Sequence, residues 1–111
     1  MHLITPSLVL CLALAVTDGD KIRCGKERIR IFGLDCPELS HSGGRKAKSA
    51  LDHELRGRGR TVTFVRRGLD RHGRTIAIVF ADGRDVTQRL IVIGTCWEHC
   101  GYSNGGYGTC R

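Results

Sequence analysis

The chain has 111 residues, which allows one small domain and excludes two. Hydrophobic residues make up 41% of it and aromatic residues only 5%, so a globular core must consist mainly of Ile, Leu, Val and Ala. The net charge is +7, and 14 of the 18 basic residues are Arg, whose planar fork matches a phosphate. This charge indicates either a phosphate-bearing partner or a basic surface that only keeps the chain soluble.

The N-terminal stretch permits two interpretations. The letters "LITPSLVLCLALA" resemble the apolar core and cleavage box of a signal peptide, although no Lys or Arg precedes them. A signal peptide over residues 1–15 would make the mature protein secreted or periplasmic, and cleavage after Ala15 would remove Cys11. Alternatively, Ser7–Val16 forms the first strand of a cytoplasmic protein. Because the stretch is too short to span a bilayer comfortably, we expect no stable membrane association of the mature form.

The remaining chain alternates between strand and helix patterns. A turn at "TDGD" precedes a hairpin, in which Ile22 and Cys24 on one strand are matched by Ile29 and Ile31 on the other, and a loop, "DCPELSHSGG", follows. The pattern then predicts a helix over Arg45–Leu55, a strand at "TVTFV", a basic loop at "RRGLDRHGR", a strand at "TIAIVFADGRDV" with an Asp-Gly turn, and a short helix at "VTQRLIVI" that ends at Gly94. Short strands interrupted by one helix favour an α+β, mainly β, small barrel with that helix across its end.

Cysteines are dense for a cytosolic protein, and their number favours an oxidising compartment. They are Cys11, Cys24, Cys36, Cys96, Cys100 and Cys110. Cys100 and Cys110 bracket a Gly-rich segment that a disulfide could close into a small loop. A zinc site formed by Cys96, His99, Cys100 and Cys110 is an alternative, but it lacks the usual paired Cys-x-x-Cys spacing.

Three acids stand at the ends of predicted elements. Asp20 lies in the first turn, and Asp35 and Glu38 follow the hairpin, so Asp20 and Asp35 should lie at the same end of the sheet. Clustered carboxylates need a cation or a proton to coexist, and hard oxygen ligands favour Ca²⁺ or Mg²⁺. Arg30 and Arg74 could face a phosphate nearby. Alternatively, the acids only cap turns and the arginines are solvated.

Taken together, these segments resemble the staphylococcal nuclease (thermonuclease) family. The matching letters are "VTDGDKIRCGKERIRIFGLDCPE", "GGRKAKSALDHEL" and "LDRHGRTIAIVFADGRDVTQRLIVIGTCW", which cover most of the chain from about Val16 to Trp97. The resemblance implies an OB-fold barrel. It also implies Ca²⁺-dependent hydrolysis of DNA and RNA with little sequence preference, giving 3′-phosphates.

The resemblance also assigns roles to single residues. It implies that one Ca²⁺ is held by Asp20, Asp35 and the backbone carbonyl of Cys36. Glu38 would orient or deprotonate the attacking water. The catalytic arginines would be Arg30 and Arg74, which hold the scissile phosphate, while Arg71 would contact a terminal phosphate.

The chain departs from the family pattern at several positions. The family commonly has Thr where this chain has Lys21, which could compete with calcium or point to solvent. It usually has Ala or Thr at the position of Cys36. The family's longer members end in a C-terminal helix with tyrosines that stack on a base, and here only Tyr102 and Tyr107 could substitute.

We therefore expect three segments: residues 1–15 as signal peptide or first strand, a nuclease-like OB-fold domain over residues 16–99, and a Gly/Tyr-rich tail over residues 100–111. The expected enzyme is a monomer that acts on DNA and RNA, preferably single-stranded or frayed. A non-catalytic OB-fold module that binds nucleic acid is the alternative, and a small secreted disulfide-rich protein in which the barrel is only a scaffold is a third interpretation.

Overall fold

A computed structural model of the chain describes residues 7–57 and 59–110. In these residues the strands are β1 (Leu8–Leu10), β2 (Leu14–Asp18), β3 (Lys21–Cys24), β4 (Glu27–Ile31), β5 (Leu34–Asp35), β6 (Val62–Leu69), β7 (Thr75–Ala81), β8 (Arg84–Asp85) and β9 (Trp97–Glu98). The helices are α1 (Gly44–Arg56), α2 (Val86–Ile93) and α3 (Cys100–Ser103). No helix in the described parts of the chain is both long enough and apolar enough to cross a membrane.

The main sheet has the strand order β1-β6-β7-β4-β3-β2, and β8 pairs with β7. Its neighbours are antiparallel except for β4 and β7, which run parallel. The first and last strands of this order, β1 and β2, are consecutive in the chain and are separated by residues 11–13. The N-terminal segment therefore pairs with both edges of the sheet and joins them. This arrangement is the expected OB-fold small barrel, and the predicted mixed, mainly β class is confirmed.

The core is mainly aliphatic, as the composition predicts. Its largest fully buried side chains include Ile22, Ile29, Leu51, Phe64 and Leu90. The predicted hairpin is present as the β3–β4 pair, in which Ile22 lies opposite Ile29 and Cys24 lies opposite Glu27. Inward isoleucines alternate with outward basic residues along both strands, so the hairpin presents a charged outer face.

Helix α1 packs across the barrel with one apolar stripe. Ala47, Leu51 and Leu55 recur at helical spacing and are all buried. Gly44 begins the helix against the preceding loop, where a Cβ atom would lie 1.9 Å from the carbonyl oxygen of Glu38. The glycine therefore allows the helix to start in contact with the loop that carries the candidate acids.

The N-terminal stretch, for which the sequence permits either a signal peptide or a first strand, forms two strands in the structure. Leu8–Leu10 and Leu14–Asp18 pair into the sheet, and Cys11 forms a disulfide with Cys24. In the structure this stretch thus contributes to the barrel. Cleavage after Ala15 stays a prediction, as do the boundaries of the three predicted segments.

The predicted basic loop at residues 66–74 is wrong in its first half. Strand β6 continues through Arg66 and Arg67 to Leu69 and pairs with β7 over this length, with a register shift near Gly68. The guanidinium of Arg66 is held by Glu27, and that of Arg67 lies over the ring of Phe32. Sequence alternation did not reveal this extension because its side chains are exposed on both sides.

Candidate active site

The turn that carries Asp20 fits tightly against the rest of the site. A Cβ atom at Gly19 would lie 2.7 Å from the Cβ of Ala47 and 2.9 Å from that of Cys36. Only glycine therefore allows the β2–β3 turn to approach both helix α1 and the loop after β5. This approach leaves Asp20 only 3% exposed.

The buried carboxylate of Asp20 is surrounded by donors. Its Oδ2 accepts a hydrogen bond from the backbone N–H of Cys36 at 3.1 Å and lies 3.5 Å from a guanidinium nitrogen of Arg30. Its Oδ1 lies 3.0 Å from the ammonium of Lys21, which also contacts Asp18 at 3.3 Å. In the structure, Lys21 therefore contacts the carboxylate of Asp20 and does not point to solvent.

Arg30 links the acids to one another. Its guanidinium donates to the carbonyl oxygens of Leu34, at 2.5 Å, and of Ile31, at 3.2 Å. The second terminal nitrogen lies 3.8 Å from Oδ1 of Asp35. Because these backbone contacts fix the side chain, its remaining donor capacity points in a defined direction.

Asp35 is positioned by a second small sheet and by a disulfide. It pairs with Trp97 in the β5–β9 ladder, and the indole N–H of Trp97 donates to its Oδ2 at 3.3 Å. The neighbouring residues strengthen this link, because Cys36, which follows Asp35, is bonded to Cys96, which precedes Trp97. This disulfide explains the cysteine at position 36, because it links the loop that carries Glu38 to the segment that follows α2.

Arg74 is held by the turn before β7. Its guanidinium lies 2.6 Å from Asp70, whose other oxygen accepts the backbone N–H groups of Arg74 and His72. Burial would raise the pKa of Asp70, but the hydrogen bonds from Arg74 and His72 outweigh it and lower that pKa to about 2. The turn therefore carries a permanent anion that orients one arginine.

The side chains of Arg30 and Arg74 line the same groove. The groove has a volume of about 490 Å³, and its polar lining residues are Arg30, Asp70, Arg71, His72, Arg74, His99 and Tyr102. The structure thus brings together the three arginines that the sequence assigned to a phosphate. Arg71 is exposed, and its Nε lies 3.4 Å from the Nε2 of His72.

The side chain of Glu38 has fewer contacts than those of the other predicted site residues. It lies in the loop between β5 and α1 with an exposed side chain. Within residues 7–57 and 59–110, its carboxylate makes no hydrogen bond or ion pair. Its backbone carbonyl accepts the N–H of His41 at 2.9 Å, which fixes the loop while leaving the carboxylate free to meet water.

The C-terminal segment folds over a single buried carboxylate. Glu98 is 5% exposed and accepts hydrogen bonds from Ser103, from the backbone of Tyr107 and from both donors of Thr109. The predicted Cys100–Cys110 disulfide is confirmed and closes this loop. The zinc alternative is excluded, because Cys96, Cys100 and Cys110 are all in disulfides.

The two tyrosines of this loop have different environments. Tyr107 is half-buried against Gly33, and its hydroxyl donates to Asp85 at 2.7 Å. Burial and the bond to Asp85 raise the pKa of Tyr107, so it is a neutral structural donor. Tyr102 is 40% exposed, lies 4.5 Å from the ring of His99, and lines the groove. Only Tyr102 is therefore available to a ligand there.

We expect acid to loosen the C-terminal loop. Burial would raise the pKa of Glu98, but its hydrogen bonds lower it to about 2 from an ordinary 4.5. The folded carboxylate therefore contributes stability above about pH 4.5, and this contribution is lost as the pH falls towards 2. The free energy of unfolding, measured by urea denaturation at several pH values, should fall less steeply below pH 4.5 in Glu98→Gln than in the unchanged protein. Equal slopes would contradict this assignment.

The donor set around Asp20 fits a hard cation in its chemistry. Two carboxylates and the Cys36 carbonyl are oxygen ligands of the kind that Ca²⁺ prefers. The buried, charged Asp20 carboxylate also sits where a cation would stabilise it. In the described residues, however, the one compact group of three acid, His or Cys donors is Glu98, Cys100 and Cys110, whose sulfurs are bonded to each other.

Comparison with known proteins shows the family to which the chain belongs. A profile of the family described as "Staphylococcal nuclease homologue" matches residues 28–108. The chain belongs to this family. The match includes β4 with Arg30, the loop with Asp35 and Glu38, and the turn with Arg74.

Curated relatives of the family are similar over most of this chain. An "Uncharacterized endonuclease" of Haemophilus influenzae is 28% identical over 85% of this chain and 54% of its own length. An "Uncharacterized endonuclease" of Escherichia coli O157:H7 is 33% identical over 79% of this chain and 60% of its own. A "Probable staphylococcal-like nuclease" of Oryza sativa subsp. japonica is 31% identical over 76% of this chain and 25% of its own length. The chain thus spans about half the length of the bacterial relatives, and less of the plant one.

The sequence did not predict the roles of three residues at the site. Trp97 holds Asp35, Asp70 holds Arg74, and His99 lines the groove. Asp70 could have been found from the spacing "DRHGR", since an acid four residues before an arginine can bond it across a tight turn. Trp97 and His99 gave no such signal, because their approach is a tertiary contact through the β5–β9 pair and the backbone bond from His99 to Gly33.

Proposed function

We propose that this protein is a calcium-dependent endonuclease that hydrolyses phosphodiester bonds of DNA and RNA with little sequence preference and leaves 3′-phosphates. The observation that carries the proposal is the position of Arg30, which contacts the carboxylates of Asp20 and Asp35 and lines the groove with Arg71 and Arg74. Family membership and the names of the nuclease relatives support the reaction class.

The arginines act on the phosphate. Arg30 and Arg74 are both fixed by bonds to the protein, and each keeps donors directed at the groove. Guanidiniums aimed at a phosphodiester stabilise the charge that develops as water attacks phosphorus. Because they are already held in place, little reorganisation accompanies the reaction. Arg71 is exposed and adds a contact to a neighbouring or terminal phosphate.

Glu38 handles the proton of the attacking water. Its carboxylate is exposed and makes no hydrogen bond or ion pair within residues 7–57 and 59–110, so it is free to accept that proton. Asp20, Asp35 and the carbonyl of Cys36 are the groups that would hold one Ca²⁺. When bound, the ion supplies positive charge that polarises the phosphate.

The substrate preference follows from the same groups. The groove offers cationic donors for phosphate, with His99 and Tyr102 as its aromatic surfaces. Such a surface contacts backbone and stacks on any base, so it carries little sequence information. We therefore propose single-stranded or frayed DNA and RNA as substrates and a monomer as the active form.

The disulfides support a location outside the cytoplasm. All six cysteines lie in the described residues and are paired as Cys11–Cys24, Cys36–Cys96 and Cys100–Cys110. Such bonds form and persist in oxidising compartments. We propose a secreted or periplasmic enzyme.

The test of the proposed reaction is an analysis of products. Single-stranded DNA and RNA, each labelled at the 5′ end, are incubated with the protein and Ca²⁺, and product masses are determined. We expect cleavage of both at many positions and fragments that carry a 3′-phosphate. Fragments with 3′-hydroxyl ends would contradict the mechanism, and tight binding without cleavage would favour the non-catalytic binding module.

Lys21 should weaken calcium binding. Its ammonium lies 3.0 Å from Oδ1 of Asp20 and would compete with a cation for this carboxylate. A partly exposed ion pair of this kind is worth about 1 kcal/mol, which corresponds to a change in affinity of about fivefold. Calorimetric titration with Ca²⁺ should therefore show tighter binding by Lys21→Thr. Lys26→Thr, at the exposed hairpin turn, is the control and should bind like the unchanged protein. Equal affinities for all three would show that Lys21 does not compete.

A further inference from the structure

The outer face of the β3–β4 hairpin carries two pairs of like charges. Lys21 lies directly opposite Arg30, and Arg23 lies opposite Arg28. Since the alternate residues Ile22 and Ile29 are buried, these four basic side chains share the outer face. Like charges directly opposite each other destabilise a strand pair, so each pair needs a compensating anion.

Only one of the two pairs has that anion within the protein. Lys21 and Arg30 both contact the carboxylate of Asp20. Among the described residues, by contrast, no acid forms an ion pair with Arg23 or Arg28. Arg28 instead donates to the carbonyl oxygen of His72 at 2.7 Å, a neutral partner in the turn that holds Arg74. The Arg23–Arg28 pair is thus left without an internal counterion.

The uncompensated pair lines a cavity that shares Arg74 with the active-site groove. This cavity has a volume of about 200 Å³, and its charged lining residues are Lys21, Arg23, Arg28 and Arg74. Arg74 also lines the active-site groove, so the two spaces share a wall. A strand whose phosphate lies at Arg74 can therefore continue across the hairpin without leaving basic surface.

We propose that this cavity, formed by Lys21, Arg23 and Arg28 and here named the hairpin subsite, binds a second phosphodiester of the same polynucleotide strand. The proposal rests on the proposed function, because the first phosphate is the one in the active-site groove. A phosphate supplies the missing counterion, and paired guanidiniums match its oxygens. The contact is to backbone, so it selects for strand length and not for sequence.

The experiment compares Arg23→Gln with Arg84→Gln. Arg23 is chosen over Arg28 because Arg28 also supports the turn that holds Arg74. Arg84 is an exposed arginine beyond the opposite end of β7, and its replacement changes the net charge equally. Each protein is assayed in 0.1 M salt on a thymidine dinucleotide with one phosphodiester and on a thymidine oligonucleotide of about twelve residues.

The subsite predicts a loss that depends on substrate length. In Arg23→Gln, the ratio of kcat/KM for the oligonucleotide to that for the dinucleotide should fall about fivefold, the salt-dependent value of one phosphate contact to a single strand. The logarithmic salt dependence of oligonucleotide binding should become shallower by about 0.7. Arg84→Gln should keep the ratio and the slope. An unchanged ratio in Arg23→Gln, or an equal fall in both variants, would overturn the proposal.

Binding without turnover separates this proposal from the proposed function. If the unchanged protein cleaves neither substrate, the nuclease assignment fails, and the subsite is then judged by fluorescence anisotropy of the labelled oligonucleotide in EDTA. Weaker binding and a shallower salt slope in Arg23→Gln alone would support the subsite. Equal binding by the two variants, or no binding by the unchanged protein, would overturn it.

Discussion

Replacing Arg74 with Gln is expected to reduce kcat by a factor on the order of 10²–10³, the usual effect of removing one electrostatic contact to a transition state. Arg74 lines the groove and is oriented by Asp70 at 2.6 Å. Glutamine keeps a polar side chain but removes the charge that the phosphate needs. The measurement is kcat and KM on single-stranded DNA with saturating Ca²⁺, where the loss should appear mainly in kcat.

Two further variants distinguish catalysis from structure. Arg74→Lys keeps the charge but loses the fork, so its activity should fall between those of Arg74→Gln and the unchanged protein. Arg84→Gln removes an arginine at the other end of β7 and should keep full activity. If Arg74→Gln retained activity within about threefold of the unchanged protein, Arg74 would not act on the reacting phosphate, since a single lost transition-state contact costs far more.

Removing the Cys36–Cys96 disulfide is expected to cost about 4 kcal/mol of unfolding free energy, because the bond closes a loop with a sequence separation of 60. Removing Cys11–Cys24, with a separation of 13, should cost about 3 kcal/mol by the same argument. Urea denaturation of the double variants Cys36→Ala/Cys96→Ala and Cys11→Ala/Cys24→Ala measures both. Alanine is suitable because Cys36 and Cys96 are buried.

The same variants separate stability from calcium binding. The backbone of Cys36 bonds Asp20, and Cys96 precedes the Trp97 that holds Asp35. Loss of such supporting contacts lowers metal affinity about 10- to 100-fold, so Cys36→Ala/Cys96→Ala should bind Ca²⁺ more weakly where it is still folded. Cys11→Ala/Cys24→Ala should not. Equal calcium affinity of the two folded variants would show that the Cys36–Cys96 bond does not position the ligands.

The barrel could be predicted because its elements have strong local signals. Buried isoleucines alternate along β3 and β4, α1 has an apolar stripe at helical spacing, and Gly94 ends α2 in the left-handed conformation. Strand β6 was predicted too short because Arg66 and Arg67 are both exposed, so the alternation of buried and exposed residues ends before them. Their strand conformation follows from pairing with β7, which is a tertiary contact.

The candidate site residues came from the family resemblance, while the contacts that support them in the structure were not predicted. Asp20, Arg30, Asp35 and Cys36 are brought together as expected, and Arg30, Arg71 and Arg74 share one groove. Disulfide connectivity cannot be deduced from six cysteines, and the approach of Trp97 to Asp35 is a tertiary contact through the β5–β9 pair. The ammonium of Lys21 on Asp20 was left open by the sequence, because a lysine beside an aspartate can equally point to solvent.

Digestion of single-stranded DNA by the unchanged protein and by Glu38→Gln, each with Ca²⁺ and with EDTA, tests the central claim most directly. Asp20 and Asp35 are assigned to the cation and Glu38 to the attacking water, so both must be intact for turnover. We predict that the unchanged protein cleaves with Ca²⁺ and is inactive in EDTA, and that Glu38→Gln binds DNA normally but cleaves at least about 100-fold more slowly. Cleavage that survives chelation, or that continues undiminished in Glu38→Gln, would contradict the account.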